Sequence, residues 1–171
     1  EDMSKHAKVL ANQARRLNAE LRETVTEARL IAHGLAPVPL EGDGLMLGLR
    51  ELALRTCRHK GVKCRFLCEP PVLVADPGVA THLYRIAQEA VTNALKHGKA
   101  KKIEIRLAET PGVLALCIEN NGQPLPVKDQ GRNGVGLNAM LYRAGLIGAA
   151  LSIESGKRRG VRVSCTLRRQ P

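Results

Sequence analysis

The order in which helical and alternating hydrophobic patterns follow one another constrains this chain more than any other feature. Beyond residue 44, apolar residues recur every three or four positions in some segments and every second position in others. Helices are predicted over 45–59, 78–97 and 136–147, strands over 62–68, 102–107, 113–119, 149–154 and 161–167, and a loop over 120–135. This order predicts an α+β fold, a two-layer α/β sandwich in which the helices cover one face of a largely antiparallel sheet.

The first 33 residues contain no proline or glycine and carry apolar residues spaced alternately four and three apart. The series is Met3, Ala7, Leu10, Ala14, Leu17, Leu21, Thr24, Ala28 and Ile31. Such a narrow seam is typical of a coiled-coil-like helix that needs partner helices, although a surface helix lying on its own domain is the alternative. Glycines and prolines then indicate a hinge. We therefore expect a helix over 1–33, a hinge over 34–44 and a separate domain over 45–171.

The 171 residues carry a formal net charge of +11, which suggests an anionic partner. The aromatic residues, however, are only Phe66, Tyr84 and Tyr142. RNA-binding sheets and single-strand binders stack bases on aromatic rings, so this composition argues against nucleic acid and leaves phosphate groups as plausible ligands. No stretch of the sequence is long and apolar enough to span a bilayer, and no signal-peptide pattern opens it.

Five cysteines at irregular spacing indicate reduced thiols and a cytoplasmic protein. One group of side chains could be considered as zinc ligands: Cys57, His59, Cys64 and Cys68. Since none of them forms a CxxC pair, a zinc site is disfavoured. The sequence begins with a glutamate rather than a methionine, which is consistent with a piece of a longer protein. A membrane anchor elsewhere in a full-length protein is compatible with this prediction.

The helix predicted over 78–97 carries the first group of residues suited to chemistry. Its apolar residues fall on one side, and a polar stripe falls on the other: Arg85, Glu89, Asn93, Lys96 and His97. An amide oxygen can bind Mg²⁺, basic groups can bind phosphate, and a carboxylate can orient or deprotonate a nucleophile. Taken alone, such a stripe is more often a solvated helix face.

A glycine-rich loop forms the second group. The strand over 113–119 runs directly into Asn120-Asn121-Gly122, and the loop ends in Gly134-Val135-Gly136-Leu137 before a helix. Glycine-rich backbone at a helix start presents free N–H groups to phosphate. The loop lacks the Gly-Lys-Ser/Thr of a P-loop, and no strand–turn–helix unit makes it a dinucleotide fingerprint.

Together these motifs resemble those of a known family. The segment from Tyr84 to His97 (YRIAQEAVTNALKH) resembles the N box of sensor histidine kinases, particularly those of the nitrate-sensor and DesK-like class. Asn120-Asn121-Gly122 and Gly134-Val135-Gly136-Leu137 stand where that family has its first and second glycine boxes. The resemblance covers about residues 42–171, and the heptad-bearing segment resembles the second helix of the family's dimerisation bundle.

The resemblance implies a Bergerat-type ATP-binding domain that uses ATP and Mg²⁺. Glu89 would be the catalytic carboxylate, Asn93 the Mg²⁺ ligand, and Lys96 and His97 phosphate contacts. The other expected ATP-binding residues are Asn120, Gly122, Gly134, Gly136 and Leu137, with 120–135 as the ATP lid. The reaction would transfer the γ-phosphoryl group to a histidine and then to an aspartate on a response regulator receiver domain. Homodimerisation would use the N-terminal helix.

Three departures from the family pattern qualify these expectations. Asn120 replaces an aspartate that accepts a hydrogen bond from the adenine amino group; the neutral bond is weaker by about 1 kcal/mol, which predicts roughly tenfold weaker affinity. Pro124 replaces a glycine and stiffens the start of the lid. No histidine here is followed by an acidic residue, so the phosphoacceptor is expected upstream and autophosphorylation of this chain alone is not expected.

Three alternatives to an active kinase domain stay open at this point. A degenerate ATP-binding module with a regulatory or dimerisation role fits the two glycine-box departures. An anti-sigma serine kinase of the same fold is less favoured, because the long heptad helix resembles a bundle hairpin. A basic nucleic-acid binder is disfavoured, since the chain lacks aromatic residues and any recognition-helix pattern.

Overall fold

The computed structural model of the chain describes residues 44–124, 135–155 and 159–169. The predicted helix over 1–33 and nearly all of the hinge lie outside the described residues, as does most of the loop over 120–135. The elements are α1 Gly44–Thr56, β1 Lys63–Leu67, α2 Pro77–Lys96, β2 Lys102–Thr110, β3 Val113–Asn120, α3 Val135–Leu146, β4 Ala150–Ser155 and β5 Val161–Arg168. Their types and order confirm the helix and strand pattern predicted beyond residue 44.

Two predicted ends are wrong by three residues: β2 continues beyond residue 107 to Thr110, and α1, which was expected to reach residue 59, ends at Thr56. The chain there tightens into turns in which the N–H groups of Arg58 and His59 donate to the carbonyls three residues earlier. Gly61 then adopts a φ of 75°, a left-handed conformation that continues neither helix nor strand. Local turn geometry therefore ends the helix, whereas the apolar periodicity of the sequence does not mark its end.

The five strands form one sheet in the order β1-β2-β3-β5-β4. β1 pairs with β2 in parallel, and the other three pairings are antiparallel. A parallel pair needs a crossover, and α2 lies in the connection between β1 and β2. The fold is thus the mixed α+β sandwich expected from the sequence, with a largely antiparallel sheet.

The two faces of the sheet differ sharply in polarity. One face is buried beneath the helices by residues that alternate along the central strands: Ile103, Ile105, Leu107, Leu114, Leu116, Ile118, Val163 and Cys165. The other face carries ion pairs, in which Glu104 meets both Arg65 and Arg106, and Glu119 meets Arg162 at 3.0 Å. The hydrogen bond from Arg65 and the charge of Arg106 lower the pKa of Glu104. This alternation places the helices on one face and leaves the other face to solvent.

Both ends of α2 are fixed by hydrogen bonds. The Asp76 carboxylate accepts from the N–H groups of Gly78 at 2.7 Å and Val79 at 3.1 Å, and Pro77 occupies the first helical position. At the other end, the N–H groups of His97 and Gly98 donate to the Asn93 carbonyl. The apolar residues of α2 pack on β2, β3 and β5, so its polar stripe lies beside the sheet with a fixed rotation.

The five cysteines are free thiols in the structure. Burial raises the pKa of the Cys64 and Cys165 thiols to about 11, with a further contribution from Cys57 at Cys64. Within the described residues, no three His, Cys, Asp or Glu side chains come together as metal ligands. In the same part of the chain, no helix has both the length and the apolar character needed to cross a membrane.

We expect Asp76→Ala to lower the free energy of unfolding by about 1 kcal/mol, because two N–H groups at the start of α2 lose their acceptor. Asp76→Asn is the matched control, since an asparagine cap accepts the same bonds and should cost much less. Urea denaturation followed by circular dichroism measures both variants. Equal losses in the two variants would show that the charge of Asp76, and not its capping geometry, stabilises the helix.

Candidate functional site

A cavity of about 720 Å³ opens between α2, α3 and the strands β3, β4 and β5. Seven of the residues predicted from the sequence line it: Glu89, Asn93, Lys96, His97, Asn120, Gly136 and Leu137. Glu89, Asn93 and the C-cap residue His97 lie four residues apart along α2 and its end, and Lys96 and His97 are exposed to solvent. The fold therefore brings the polar stripe of α2 and the glycine-containing start of α3 to one cavity, although they are separated by about 40 residues in sequence.

Gly136 sets the closest approach between α3 and the carboxylate of Glu89. A Cβ atom on Gly136 would lie 2.1 Å from Glu89 Oε1 and 3.2 Å from Asn93 Nδ2. With any side chain at position 136, the Glu89 carboxylate would have to move away from the first turn of α3. Because the first N–H groups of a helix have no partner within the helix, this end of the cavity combines a carboxylate, an amide and a helix N-terminus.

The rest of the cavity is mainly apolar. Its lining here comes from Ile118, Met140, Ile153, Val161 and Val163. Ile118, Met140 and Val163 are almost completely buried beneath it. The sequence analysis assigned these residues to strands or a helix and did not connect them with the site, because apolar periodicity does not distinguish a core residue from a pocket wall.

Asn120 is held by backbone groups from two sides. Its side-chain oxygen accepts from the Gly122 N–H at 2.9 Å, and its side-chain nitrogen donates to the Val161 carbonyl at 3.1 Å. If the amide were flipped, its NH₂ group would face a backbone N–H and its oxygen would face a backbone carbonyl. These two bonds therefore fix the orientation of the amide. The second lone pair of the oxygen remains available to a donor in the cavity.

Gly160 packs against Asn120, a contact that the sequence analysis missed. It has a φ of 86°, and a Cβ there would lie 1.7 Å from the Asn120 carbonyl oxygen. This close approach brings β5 to Asn120 and makes the bond to Val161 possible. A Gly-Val pair after a basic stretch is the signal in the sequence, but it is too common to indicate such a contact by itself.

Gly122 and Gly134 were also predicted to contact the nucleotide. Gly122 does not line the cavity; a Cβ there would lie 2.3 Å from the Gly98 carbonyl oxygen, so this glycine packs against the end of α2. The next residue, Gln123, donates its N–H to the same carbonyl at 2.7 Å. Gly134 lies outside the described residues, and Pro124 lines the cavity.

Basic side chains gather beside Glu89, between α2 and α3. Arg143 of α3 is 7 % exposed. Its charge influences His82, and the charges of Arg85 and Glu89 influence Arg143 in turn. Burial lowers the pKa of Arg143, the charge of Arg85 lowers it further, and Glu89 opposes this effect. Burial and the charge of Arg143 likewise lower the pKa of His82, against a raising effect of Asp76.

Comparison with protein families gives a match to the Histidine kinase-, DNA gyrase B-, and HSP90-like ATPase family over residues 78–171, more than half of the chain. The chain is 31% identical over 141 residues to the sensor histidine kinase LiaS of Bacillus subtilis, covering 82% of this chain and 39% of that protein. It is 31% identical over 147 residues to the sensor protein VraS of Staphylococcus saprophyticus, covering 86% and 42%. The chain thus spans about two fifths of the length of these relatives.

Solved structures share the fold. The ATP binding domain of PrrB from Mycobacterium tuberculosis matches with a TM-score of 0.60 and 21% identity over 72% of this chain and 93% of that one. The histidine kinase domain of a blue-light activated kinase from Erythrobacter litoralis matches with a TM-score of 0.61 and 19% identity over 73% and 59%. At these identities the likeness concerns the fold alone, and it confirms the predicted two-layer α/β sandwich.

We expect Asn120→Asp to lower the free energy of unfolding by about 1–3 kcal/mol, because a carboxylate cannot donate to the Val161 carbonyl and would face it instead. Asn121→Asp is the matched control. The Asn121 side-chain oxygen accepts hydrogen bonds from the N–H groups of Lys101 and Lys102, and a carboxylate can accept the same bonds. Urea denaturation at pH 7 compares the two, and equal stability would contradict the role given to the Asn120 nitrogen.

Proposed function

Because the chain belongs to the family of histidine kinase-, DNA gyrase B- and HSP90-like ATPases, we propose that it is the ATP-binding catalytic domain of a two-component sensor histidine kinase. Its activity is the transfer of the γ-phosphoryl group of ATP to a histidine, from which the group passes to an aspartate of a response regulator receiver domain. The kinase relatives, each about 31% identical and longer than this chain, support this assignment over other members of the family.

The observation that carries the proposal is the two-ended cavity. One end presents Glu89 and Asn93 beneath the glycine start of α3, and the other end is apolar with the fixed amide of Asn120. A nucleotide triphosphate has the same division, with a flat base at one end and charged phosphates at the other. The volume of about 720 Å³ falls within the usual range for small-molecule sites, and the side chains present fit ATP with Mg²⁺.

The roles of the site residues follow from their chemistry and position. When bound, ATP supplies the phosphoryl group, and Mg²⁺ neutralises the charge that develops on its oxygens. Asn93 offers an uncharged oxygen ligand to the metal, and Lys96 and His97 offer positive or donor groups to phosphate oxygens at the exposed side of the cavity. Glu89 is placed to orient the nucleophile and accept its proton.

Contacts to the nucleotide base and the glycine boxes complete the proposed site. The free lone pair of the Asn120 oxygen accepts from the adenine amino group. Gly136 lets the α3 backbone approach the phosphates beside Leu137. The contact predicted from the sequence for Gly134 falls outside the described residues. Gly122 contributes indirectly by packing against the end of α2.

We extend the proposal to the organisation of the kinase. Residues 1–33 form the second helix of a dimerisation bundle, 34–44 form a hinge, and 45–171 form the catalytic domain. The heptad seam supports homodimerisation through the N-terminal helix. No histidine in the sequence is immediately followed by an acidic residue. This supports a phosphoacceptor on another bundle helix of a longer kinase that acts in the cytoplasm.

We expect the parent chain to bind ATP in the presence of Mg²⁺, and Gly136→Ala to weaken this binding at least tenfold. The added methyl group displaces the Glu89 carboxylate and presses on Asn93, while the flexible end of Glu89 can move without unfolding the domain. Gly145→Ala is the matched control in the same helix, since nothing lies within 4 Å of its Cβ position. Isothermal titration calorimetry measures all three. No binding by the parent at millimolar ATP would contradict the kinase proposal and favour the degenerate module.

We expect Glu89→Gln to reduce phosphotransfer by about 10²–10⁴-fold while leaving ATP affinity within about threefold, because the amide keeps the shape but cannot accept a proton. The assay supplies the phosphoacceptor helix and measures acid-labile phosphate. Glu119→Gln, on the solvent face of the sheet, is the control and should leave the rate unchanged. A Glu89→Gln rate equal to that of the parent would show that Glu89 is not the catalytic carboxylate.

A further inference from the structure

A second cavity, also of about 720 Å³, lies on the face of the sheet opposite the helices. Four basic side chains line it, together with two carboxylates and the amides of Asn120 and Asn121. The basic residues are Lys63, Arg65, Lys102 and Arg159, and the acidic residues are Glu104 and Glu119. We call this cavity the basic groove. Among the described residues that line it, only Asn120 also lines the ATP cavity.

The carboxylates of the basic groove are already engaged by arginines. Both oxygens of Glu104 accept hydrogen bonds, one from Arg65 at 2.7 Å and the other from Arg106 at 2.6 Å. Glu119, which lies opposite Glu104 in the register of β2 and β3, accepts one from Arg162 at 3.0 Å. In this row across the sheet, each charged side chain therefore has an opposite charge beside it.

The next row, towards the end of the sheet, carries only positive charge. Lys63 of β1 and Lys102 of β2 lie directly opposite each other in the strand register, and like charges in this position destabilise a sheet. Arg159 precedes β5 and lines the same groove. Within the described ranges, none of these three side chains takes part in an ion pair within 4.0 Å. The row therefore presents positive charge that no carboxylate in this part of the chain contacts.

Asn121 adds uncharged donors to this row. Its side-chain oxygen accepts from the N–H groups of Lys101 at 3.0 Å and Lys102 at 2.8 Å, which fixes the orientation of the amide. The amide nitrogen therefore remains as a donor, and Asn121 lines the basic groove. Cations that bind carboxylates, next to an amide that donates to a carbonyl, suit a peptide with acidic side chains.

We propose that the basic groove binds an acidic segment of a partner protein in an extended conformation. Neighbouring strands are about 4.8 Å apart, so the row from Lys63 across β2 and β3 to Arg159 beside β5 spans about 14 Å. In an extended peptide, side chains on one side recur about every 6.6 Å, so three carboxylates at alternate positions cover about 13 Å. Such a segment can place one carboxylate near each of the three unpaired cations.

The same dimensions argue against other anions. A single phosphate group can contact only part of a row about 14 Å long. A nucleic-acid strand carries a negative charge on every unit and would also meet the carboxylates of Glu104 and Glu119. A peptide avoids this repulsion, since its residues can be acidic beside Lys63 and Lys102 and neutral beside the glutamates.

The test titrates the isotopically labelled full chain with the peptide Gly-Glu-Thr-Glu-Thr-Glu-Gly and follows its amide signals by NMR. We expect saturable shifts of the Lys63, Lys102 and Asn121 signals at low ionic strength, and affinity at least threefold lower at about 150 mM salt. A peptide of the same composition with three consecutive glutamates should bind at least threefold more weakly, because its carboxylates point to both sides. No binding at millimolar peptide, or equal affinity for the two peptides, would overturn the proposal.

A pair of charge reversals on the same face of the sheet tests the position of the site. Lys102→Glu should weaken peptide binding at least fivefold, because it places a negative charge in the row. Arg168→Glu is the matched control, since Arg168 is exposed at the other end of β5, opposite Val113 and outside the groove. Equal losses in the two variants would show that the net charge of the chain attracts the peptide, which would overturn the proposal.

Two competitors test the class of ligand. ATP with Mg²⁺ should leave the affinity for the peptide unchanged, because Lys63 and Lys102 do not line the ATP cavity, and displacement of the peptide would overturn the proposal. Oligothymidylate binding at least tenfold more tightly than the peptide would identify a nucleic-acid surface and overturn it as well.

The stability of Lys102→Glu provides an independent readout. Opposite charges would then face each other where two lysines now repel, so the thermal midpoint should rise by about 1–3 °C although peptide binding is weakened. A lower midpoint together with unchanged affinity for the peptide would identify Lys102 as a structural residue and contradict the site.

Discussion

The packing of α2 on the sheet is the interaction on which the rest of this structure depends. Asp76 and Pro77 begin the helix at a defined residue, and its apolar side then meets the buried face of β2, β3 and β5. Once this side is buried, the rotation of the helix is fixed, and Glu89 and Asn93 face the cavity without any contact specific to them. The position of the polar stripe is therefore a consequence of hydrophobic burial on the opposite side of the same helix.

Close backbone approaches complete the site around that helix. Gly136 brings the start of α3 onto Glu89, and Gly160 brings β5 to Asn120. In both places a single methyl group would occupy the space of an oxygen atom, so the absence of a side chain determines the shape of the cavity. A side chain at either position would therefore change the shape of the cavity.

The sequence was sufficient for the elements of the fold and for the polar stripe, because both follow from periodicity within one segment. The strand pairs and the helix from Pro77 are read from local spacing, and Glu89 and Asn93 from their separation by one turn. The apolar wall of the cavity, the tie from Asn120 to Val161 and the burial of Arg143 could not be derived in this way. Each depends on which segments meet in three dimensions, and the residue types involved occur equally well in an ordinary core or surface.

The distribution of positive charge shows why net charge is a poor guide to function in this chain. On the solvent face of the sheet, Arg65, Arg106 and Arg162 lie within ion-pair distance of glutamates, so their charge is locally balanced and screened by water. Between α2 and α3, burial and the charge of Arg85 lower the pKa of Arg143, and the Glu89 carboxylate opposes this effect. The net charge of +11 adds up both environments, although a carboxylate acts on each of these four arginines. Net charge therefore does not locate the site, which is defined by the spacing of the polar residues on α2 and by the glycine-containing start of α3.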